Sequence, residues 1–247
     1  MNYRHRHLFF ILQGFFAVGL WLGNSPGAAQ DEVSLELLNY RPPNRGAPGE
    51  RQDAGSRPGC PSTDLPFTAI MPTRNWGTTV SDRPTVWFAV PPGNYRLEWE
   101  VMDRLDHTVL EIAVDITEPV ETDDYYFVRV DWPEDVSPPI SGDVYQWYAR
   151  LFCDPDTSTA HWVTRGALFR ENIIHPEFEA LSARDRVVWL AEQGVWLDMV
   201  TELLSLRSLY PNNLQLAEDW QSLMSAPTVN LEPFSDPSIT PHDAIDN

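Results

Sequence analysis

The chain has 247 residues, and its 36 acidic residues outnumber its 17 basic residues, giving a formal net charge of −19. All of the basic residues are arginine, and no lysine is present. A hydrophobic fraction of 43% excludes a disordered chain, two cysteines exclude a disulfide-dense miniprotein, and the acidic charge argues against nucleic acid or anionic lipid as the main partner.

Residues 1–29 are predicted to be a secretory signal peptide. Arg4 and Arg6 precede an apolar run at 8–22, and small residues at 27–29 follow it. This order is typical of an export signal that is cleaved, here after Ala29. The rival interpretation is an uncleaved membrane anchor, which needs about 20 apolar residues and fits the shorter run less well. We therefore expect an extracytoplasmic protein, periplasmic or secreted, with no transmembrane segment after cleavage.

Residues 30–59 form a leader rich in proline, glycine and arginine, which we expect to be flexible. It holds the only basic cluster of an acidic protein, and three of its arginines are candidate binding residues: Arg45, Arg51 and Arg57. The leader either folds back onto the acidic sandwich or stays flexible and attached at Cys60, and the sequence leaves both open. Docking of an acidic or phosphate-bearing partner is the third interpretation.

Cys60 and Cys153 are the only cysteines, and an oxidising compartment favours a disulfide between them. Closing a loop of about 90 residues would stabilise the fold by about 4–5 kcal/mol through the entropy of the unfolded chain. The alternative is a reactive or metal-binding thiol pair, which is disfavoured because no other His or Cys stands at ligand spacing nearby. We therefore predict no metal site, apart from weak calcium binding by acidic loops, which the sequence leaves open.

Residues 60–172 alternate between apolar and polar positions with a period of two, which predicts about seven strands. Short strands at this spacing are typical of an antiparallel β-sandwich of the immunoglobulin or fibronectin type. Tyr145 stands where such folds often keep a corner tyrosine. The predicted strands lie at 67–71, 85–90, 96–101, 110–116, 125–132, 144–153 and 161–169.

Residues 173–225 change to a helical period and predict a small subdomain of three short helices, so the fold class is α+β. Ser182 caps the first helix and Gly194 can end it. Pro211 ends the second helix, and Asn212 or Asn213 caps the third. We expect these helices to pack against the sandwich, because a single helical unit cannot bury its own apolar face.

Residues 226–247 form an acidic, proline-rich tail. It contains four prolines and four acids, and few of its side chains are suited to a core. We therefore expect the tail to be extended and mobile.

Four groups of segments carry a family resemblance: 45–51 with 54–57, 65–72 with 81–88, 145–155, and 194–198 leading to Pro211. Together they resemble a cyanobacterial family of exported proteins that is catalogued only as a domain of unknown function. The resemblance spans about 41–223, and the arginine–glycine segment is its most specific part. It implies an exported protein with these two cysteines and a sandwich followed by helices. It implies no activity, ligand or catalytic residue.

The acidic residues suggest two kinds of chemistry, and both have plainer explanations. Glu98 and Glu100 lie on one strand face, as a glycosidase pair could, but the opposite face is apolar and solvated surface is favoured. The turn at 154–158 begins like a calcium loop, but Thr159 and Arg165 stand where that loop needs Gly and Glu. No nucleophile elbow, P-loop or zinc-protease motif is present, so we predict no catalytic residue and no cofactor.

Tyr148 and Arg150 are the candidate binding residues of the sandwich, because alternation places them on the outward face of their strand. We expect an exported, non-enzymatic protein-interaction or scaffold module of the cell envelope, with another envelope protein as its partner. The alternative is binding of a carbohydrate or cell-wall glycan through the sandwich face that bears Tyr148. A hydrolase acting on envelope polymers is favoured least, and no nucleic-acid partner is expected.

Overall fold

The computed structural model describes residues 37–44, 51, 64–117, 125–154, 160–236 and 241–243. All of these residues belong to one compact unit, Leu35–Asn247. The predicted signal peptide lies outside the described residues, as do Cys60, Arg45 and Arg57. No helix in the described ranges is both long and apolar enough to cross a membrane.

Two β-sheets form the main body of the described chain. The smaller sheet has the strand order β1-β3-β6-β9 and the larger has the order β2-β8-β7-β4-β5. Neighbouring strands are antiparallel, except that β2 with β8 and β6 with β9 are parallel. The strand bounds are β1 Thr68–Ala69, β2 Trp76–Thr79, β3 Thr85–Val90, β4 Tyr95–Met102, β5 Thr108–Ile116, β6 Tyr126–Asp131, β7 Val144–Phe152, β8 Trp162–Arg170 and β9 Pro241–Asp243.

The strand predictions are confirmed in outline, with two additions. Each predicted strand is present, although the first shortens to β1, and the α+β class and the sandwich-like pair of sheets are confirmed. The sequence did not predict β2 or β9. All four residues of β2 are buried, so this strand has no polar alternation by which it could be recognised.

Aromatic side chains fill the space between the sheets. On β4, Leu97, Trp99 and Val101 are fully buried, and the residues between them are half-buried. Phe88 of β3 meets Trp147 of β7 edge to face, with ring centroids 6.0 Å apart. This alternation directs the polar residues of β4 and β7 outward, onto the open face of the larger sheet.

Three helices follow the sheets: α1 Ala183–Gln193, α2 Trp196–Leu209 and α3 Leu214–Ser225. The side chain of Ser182 accepts a hydrogen bond from the backbone N–H of Asp185, and Gly194 ends α1 in the left-handed conformation, with φ of 71°. The side chain of Asn213 accepts from the backbone N–H of Leu216 at the start of α3. The predicted capping residues of α1 and α3 are therefore confirmed.

Helix α2 packs against the sandwich, as predicted. The indole N–H of Trp196 donates to the carbonyl of Ile70 at 2.7 Å. The indole N–H of Trp87 donates to the hydroxyl of Thr201 at 3.0 Å. Because buried polar groups need partners, these bonds hold the helix against β3 and against the residue after β1, and the helix also packs on β2.

The expected flexible leader is ordered where the structure describes it. Leu38 and Tyr40 are buried in the core, and the backbone N–H of Arg41 donates to the carbonyl of Ala191 at 3.0 Å. This segment of the leader is therefore packed on the fold, which fits the fold-back interpretation that the sequence left open. The leader covers the C-terminal end of α1, where the last carbonyl groups of a helix lack partners within the helix.

The first part of the tail, which was expected to be extended and mobile with few core residues, packs on the core. Val229, Leu231 and Phe234 are buried, and a short 3-10 helix spans Glu232–Phe234. The ring of Phe234 lies 4.9 Å from that of Tyr125, and the indole N–H of Trp220 donates to the carbonyl of Phe234 at 3.1 Å. Three apolar side chains among prolines and acids are thus enough to attach this segment to the sandwich.

Candidate functional site

A polar surface crosses the middle of the larger sheet on its outward face. In register, Glu100 of β4 lies beside Tyr148 of β7, and Tyr148 lies beside Arg165 of β8. In the next row, Glu98 lies beside Arg150. Because facing residues of antiparallel strands lie about 5 Å apart, these side chains form one continuous surface. We call these five residues the Tyr148 face.

An ion pair lies at the centre of the Tyr148 face. The guanidinium of Arg150 donates to Glu100 Oε2 at 2.8 Å, and the hydroxyl of Thr108 donates to Glu100 Oε1 at 2.9 Å. The bond from Arg150 lowers the pKa of Glu100 most, and the bond from Thr108 lowers it further, so this pKa lies below its ordinary value. Glu111 lies directly opposite Glu100 on β5, so Arg150 also offsets a repulsion between two carboxylates.

The ring of Tyr148 lies close to this ion pair. The central guanidinium carbon of Arg150 is 5.7 Å from the ring centroid, within the range of a cation–π contact. Both side chains are half-buried, which leaves part of each available to solvent. The structure therefore brings together the two candidate binding residues that alternation placed on this face.

The carboxylates of the Tyr148 face are not arranged as a glycosidase pair. Glu98 forms an ion pair with Arg96 at 3.0 Å, and Glu100 is bonded to Arg150. A general acid in this chemistry needs a raised pKa, whereas the pKa of Glu100 is lowered. These contacts favour the prediction of a solvated polar surface.

Of the three candidate binding arginines of the leader, Arg51 is the one that lies within the described residues, and its side chain contacts distant parts of the chain. Its guanidinium donates to the carbonyl of Met71 at 2.8 Å, to that of Asn230 at 2.7 Å and also to that of Val229. Burial lowers its pKa. Its partners are main-chain carbonyls rather than acidic side chains. The other two candidates of the leader lie outside the described residues.

Cys153 follows β7, and its backbone N–H donates to Nδ1 of His161 at 3.3 Å. Its predicted partner, Cys60, lies outside the described residues, so the disulfide stays a prediction. The acidic turn is described only at Asp154, and 155–159 lie outside. Within the described ranges, no group of three or more His, Cys, Asp or Glu side chains could hold a metal ion.

A cavity between α2 and the connection from β2 to β3 was not predicted. Its volume is about 190 Å³, and its lining residues are Val80, Ser81, Arg83, Thr85, Phe178, Leu190, Asp198, Thr201 and Glu202. Burial raises the pKa of Asp198. The spacing of Asp198, Thr201 and Glu202 could have indicated this polar wall, because residues three and four positions apart lie on one face of a helix.

Comparison with known proteins identifies the family. The model of DUF928, a domain of unknown function, matches residues 52–239. The chain belongs to this family. The expected membership in a family catalogued only as a domain of unknown function is therefore confirmed, while its cyanobacterial origin stays an expectation.

Solved and curated proteins add little to the family match. One similar solved structure is a "putative beta-galactosidase" from Bacteroides fragilis, with 15% identity and a TM-score of 0.25. The match covers 35% of this chain and 14% of that protein, so this family member spans only a small part of its length. A search of curated proteins finds no match.

Proposed function

We propose that the chain is an exported protein-interaction module of the cell envelope, and that it binds another envelope protein through the Tyr148 face. The observation that carries this proposal is the half-exposed Tyr148–Arg150 pair at the middle of a regular sheet face. Tyrosine and arginine are enriched in protein interfaces and among the residues that dominate binding energy. A rigid sheet presents them without a large cost in conformational entropy.

A protein partner is favoured over a glycan by the contacts of the Tyr148 ring. Sugars bind aromatic residues by packing on an open ring face, but here the guanidinium of Arg150 lies against the ring. The Tyr148 face also carries both signs of charge, with Glu98 and Glu100 beside Arg150 and Arg165. Mixed charges support the selection of a complementary protein surface.

The strand order supports an immunoglobulin-type sandwich. By their positions in the two sheets, β3 and β7 correspond to the two strands that the conserved disulfide joins in an immunoglobulin domain. In this chain the rings of Phe88 and Trp147 meet between these two strands. Tyr145 precedes Trp147 by two residues, and its hydroxyl accepts a hydrogen bond from the backbone N–H of Ile140 at 2.9 Å. A corner tyrosine has this position and this type of bond. Trp99 is buried on β4, in the place of the conserved core tryptophan.

Export is supported by the sequence of residues 1–29 and by the two cysteines. A charged start, an apolar run and small residues before Ala29 fit cleavage in an export pathway. A disulfide between Cys60 and Cys153 would fit the oxidising compartment that such a pathway reaches.

Photo-crosslinking in living host cells tests the proposal. A photoreactive amino acid replaces Gln146, which is exposed on β7 beside the Tyr148 face, and in a matched control it replaces Ser208, which is exposed on α2. We expect a discrete crosslinked protein from position 146 and none from position 208. Adding Tyr148→Ala should abolish the crosslink.

Three results would count against the proposal. The same crosslinked protein from both positions would place the interface elsewhere, as would a crosslink that survives Tyr148→Ala. A polysaccharide adduct at position 146 would favour the glycan alternative over a protein partner.

A further inference from the structure

The cavity beside α2 has walls from three parts of the chain. The connection from β2 to β3 forms one wall with Ser81, Arg83 and Thr85, and α2 forms the opposite wall. Leu190 of α1 and Phe178 contribute an apolar side. The cavity therefore lies between the helices and the sandwich, where α2 is hydrogen-bonded to β3 through Trp87 and to the residue after β2 through Val80.

Several polar groups on these walls keep hydrogen-bonding capacity. Oε1 of Glu202 accepts from Arg186 at 2.9 Å, whereas its Oε2 has no hydrogen bond to any described residue. The hydroxyl of Thr201 accepts from Trp87, and the hydroxyl of Ser81 accepts from the backbone N–H of Arg83. Each hydroxyl therefore retains its own proton for donation, and Glu202 retains an acceptor.

The charged groups that line the cavity already have bonding partners. Arg186 neutralises Glu202, and the guanidinium of Arg83 is bonded to the carbonyls of Pro133 and Glu134, at 2.6 and 2.9 Å, and to that of Val136. Asp198 accepts the backbone N–H of Val80 at 3.2 Å. Because the guanidinium of Arg83 and the carboxylates of Asp198 and Glu202 are already engaged by the protein, the walls favour a neutral ligand over a charged one.

The volume limits the size of the ligand. About 190 Å³ equals the liquid volume of about six waters at ~30 Å³ each. Bonded atoms pack more closely than waters, so a molecule of on the order of ten non-hydrogen atoms fits. Sites for larger organic ligands measure about 300–1,000 Å³, which excludes an oligosaccharide inside the cavity.

We propose that this cavity binds one monosaccharide unit. Hydroxyl groups both donate and accept, and they match the acceptor of Glu202 and the donors of Ser81 and Thr201. The apolar face of a sugar ring matches the side formed by Phe178 and Leu190. This site is separate from the Tyr148 face and does not depend on the proposed function.

Ligand-observed NMR, protein-observed NMR and calorimetry on the purified full chain test the proposal. The probes are glucose, galactose, mannose and N-acetylglucosamine, with methylammonium and acetate as charged controls. Glu202→Gln weakens the acceptor, and Glu218→Gln makes the same chemical change on the exposed surface of α3. Val80→Phe fills the cavity and leaves the backbone bond of Val80 to Asp198 in place.

We expect saturable binding of at least one sugar. Its affinity should be at least tenfold weaker in Glu202→Gln, and binding should be lost in Val80→Phe. Its affinity should be unchanged in Glu218→Gln and Tyr148→Ala. The indole N–H resonance of Trp87 in the unsubstituted protein should shift when that sugar binds, because this group donates to Thr201. This second readout needs no variant and therefore does not depend on variant folding. The proposal is overturned if no sugar saturates at about 10 mM, ten times a Kd of about 1 mM. Binding of either charged control as strongly as a sugar, or no shift of Trp87, also overturns it.

Discussion

Replacing Arg51 tests whether the leader is part of the fold. Its guanidinium joins three chain segments, because it reaches the carbonyls of Met71, Val229 and Asn230, and its own carbonyl accepts from Ala69 at 2.8 Å. The backbone bond survives any substitution at 51. The side-chain bonds do not, so the perturbation isolates the guanidinium.

The expected loss follows from these bonds. A hydrogen bond to a charged group contributes about 1.5–3 kcal/mol, and Arg51 is half-buried, so the three bonds together are worth less than their sum. We expect Arg51→Ala to lower the free energy of unfolding by about 3 kcal/mol. For a domain of this size the melting temperature should fall by about 6–12 °C. Arg51→Lys keeps the charge but lacks the planar guanidinium, so its melting temperature should lie between those of the wild type and Arg51→Ala.

The assay is thermal and urea denaturation of the full chain, followed by circular dichroism. Arg74→Ala is the matched control, since Arg74 is exposed and its hydrogen bond to Asn44, the one it makes to a described residue, is 3.4 Å long. The control should change the free energy of unfolding by no more than about 0.5 kcal/mol. Equal melting temperatures for Arg51→Ala and Arg74→Ala would refute the reasoning.

Three further predictions concern the fold. Gly194→Ala should destabilise the protein by at least about 2 kcal/mol, because a Cβ at this position would lie 2.5 Å from the carbonyl oxygen of Arg41. The control is Gly142→Ala, which should destabilise less, because Gly142 also has a positive φ but a Cβ there would have no atom within 4 Å. Equal losses of the free energy of unfolding in urea denaturation would contradict this prediction. Burial raises the pKa of Asp198 above its ordinary value of 3.8, so the folded state disfavours the ionised carboxylate. The wild type should therefore lose stability relative to Asp198→Asn as the pH rises from the ordinary pKa through the raised one. A difference in melting temperature between the two proteins that stays constant from pH 3.5 to 7 would contradict this prediction. Alkylation of the unfolded, unreduced chain should label neither cysteine, and reduction should expose two thiols and lower the free energy of unfolding by about 2–5 kcal/mol.

Local signals in the sequence were sufficient for the helices and most strands. Ser182, Gly194 and Asn213 act within their own helix ends, so their roles follow from a few neighbouring residues. The period of two on β4 likewise follows from nearest neighbours on one strand. Such features were predictable because the interactions that cause them are short in sequence.

Long-range contacts were not predictable from the same signals. Arg51 bonds to residues 178 and 179 positions away, and nothing in its neighbourhood specifies those carbonyls. Phe234 is buried only because Trp220 and Tyr125 lie beside it in the fold. For the candidate site, alternation identified Tyr148 and Arg150, but pairing of Arg150 with Glu100 depended on the register of β4 with β7.

The central claim is that the Tyr148 face is the interface with an envelope protein. Calorimetry of the full chain with the partner crosslinked at position 146 tests it most directly, using Tyr148→Ala against Tyr210→Ala, an exposed tyrosine at the end of α2. We predict that Tyr148→Ala weakens binding about 30-fold or more, as expected for a residue worth at least about 2 kcal/mol, and that Tyr210→Ala leaves it unchanged. Unchanged affinity in Tyr148→Ala, or equal losses in both variants, would contradict the claim.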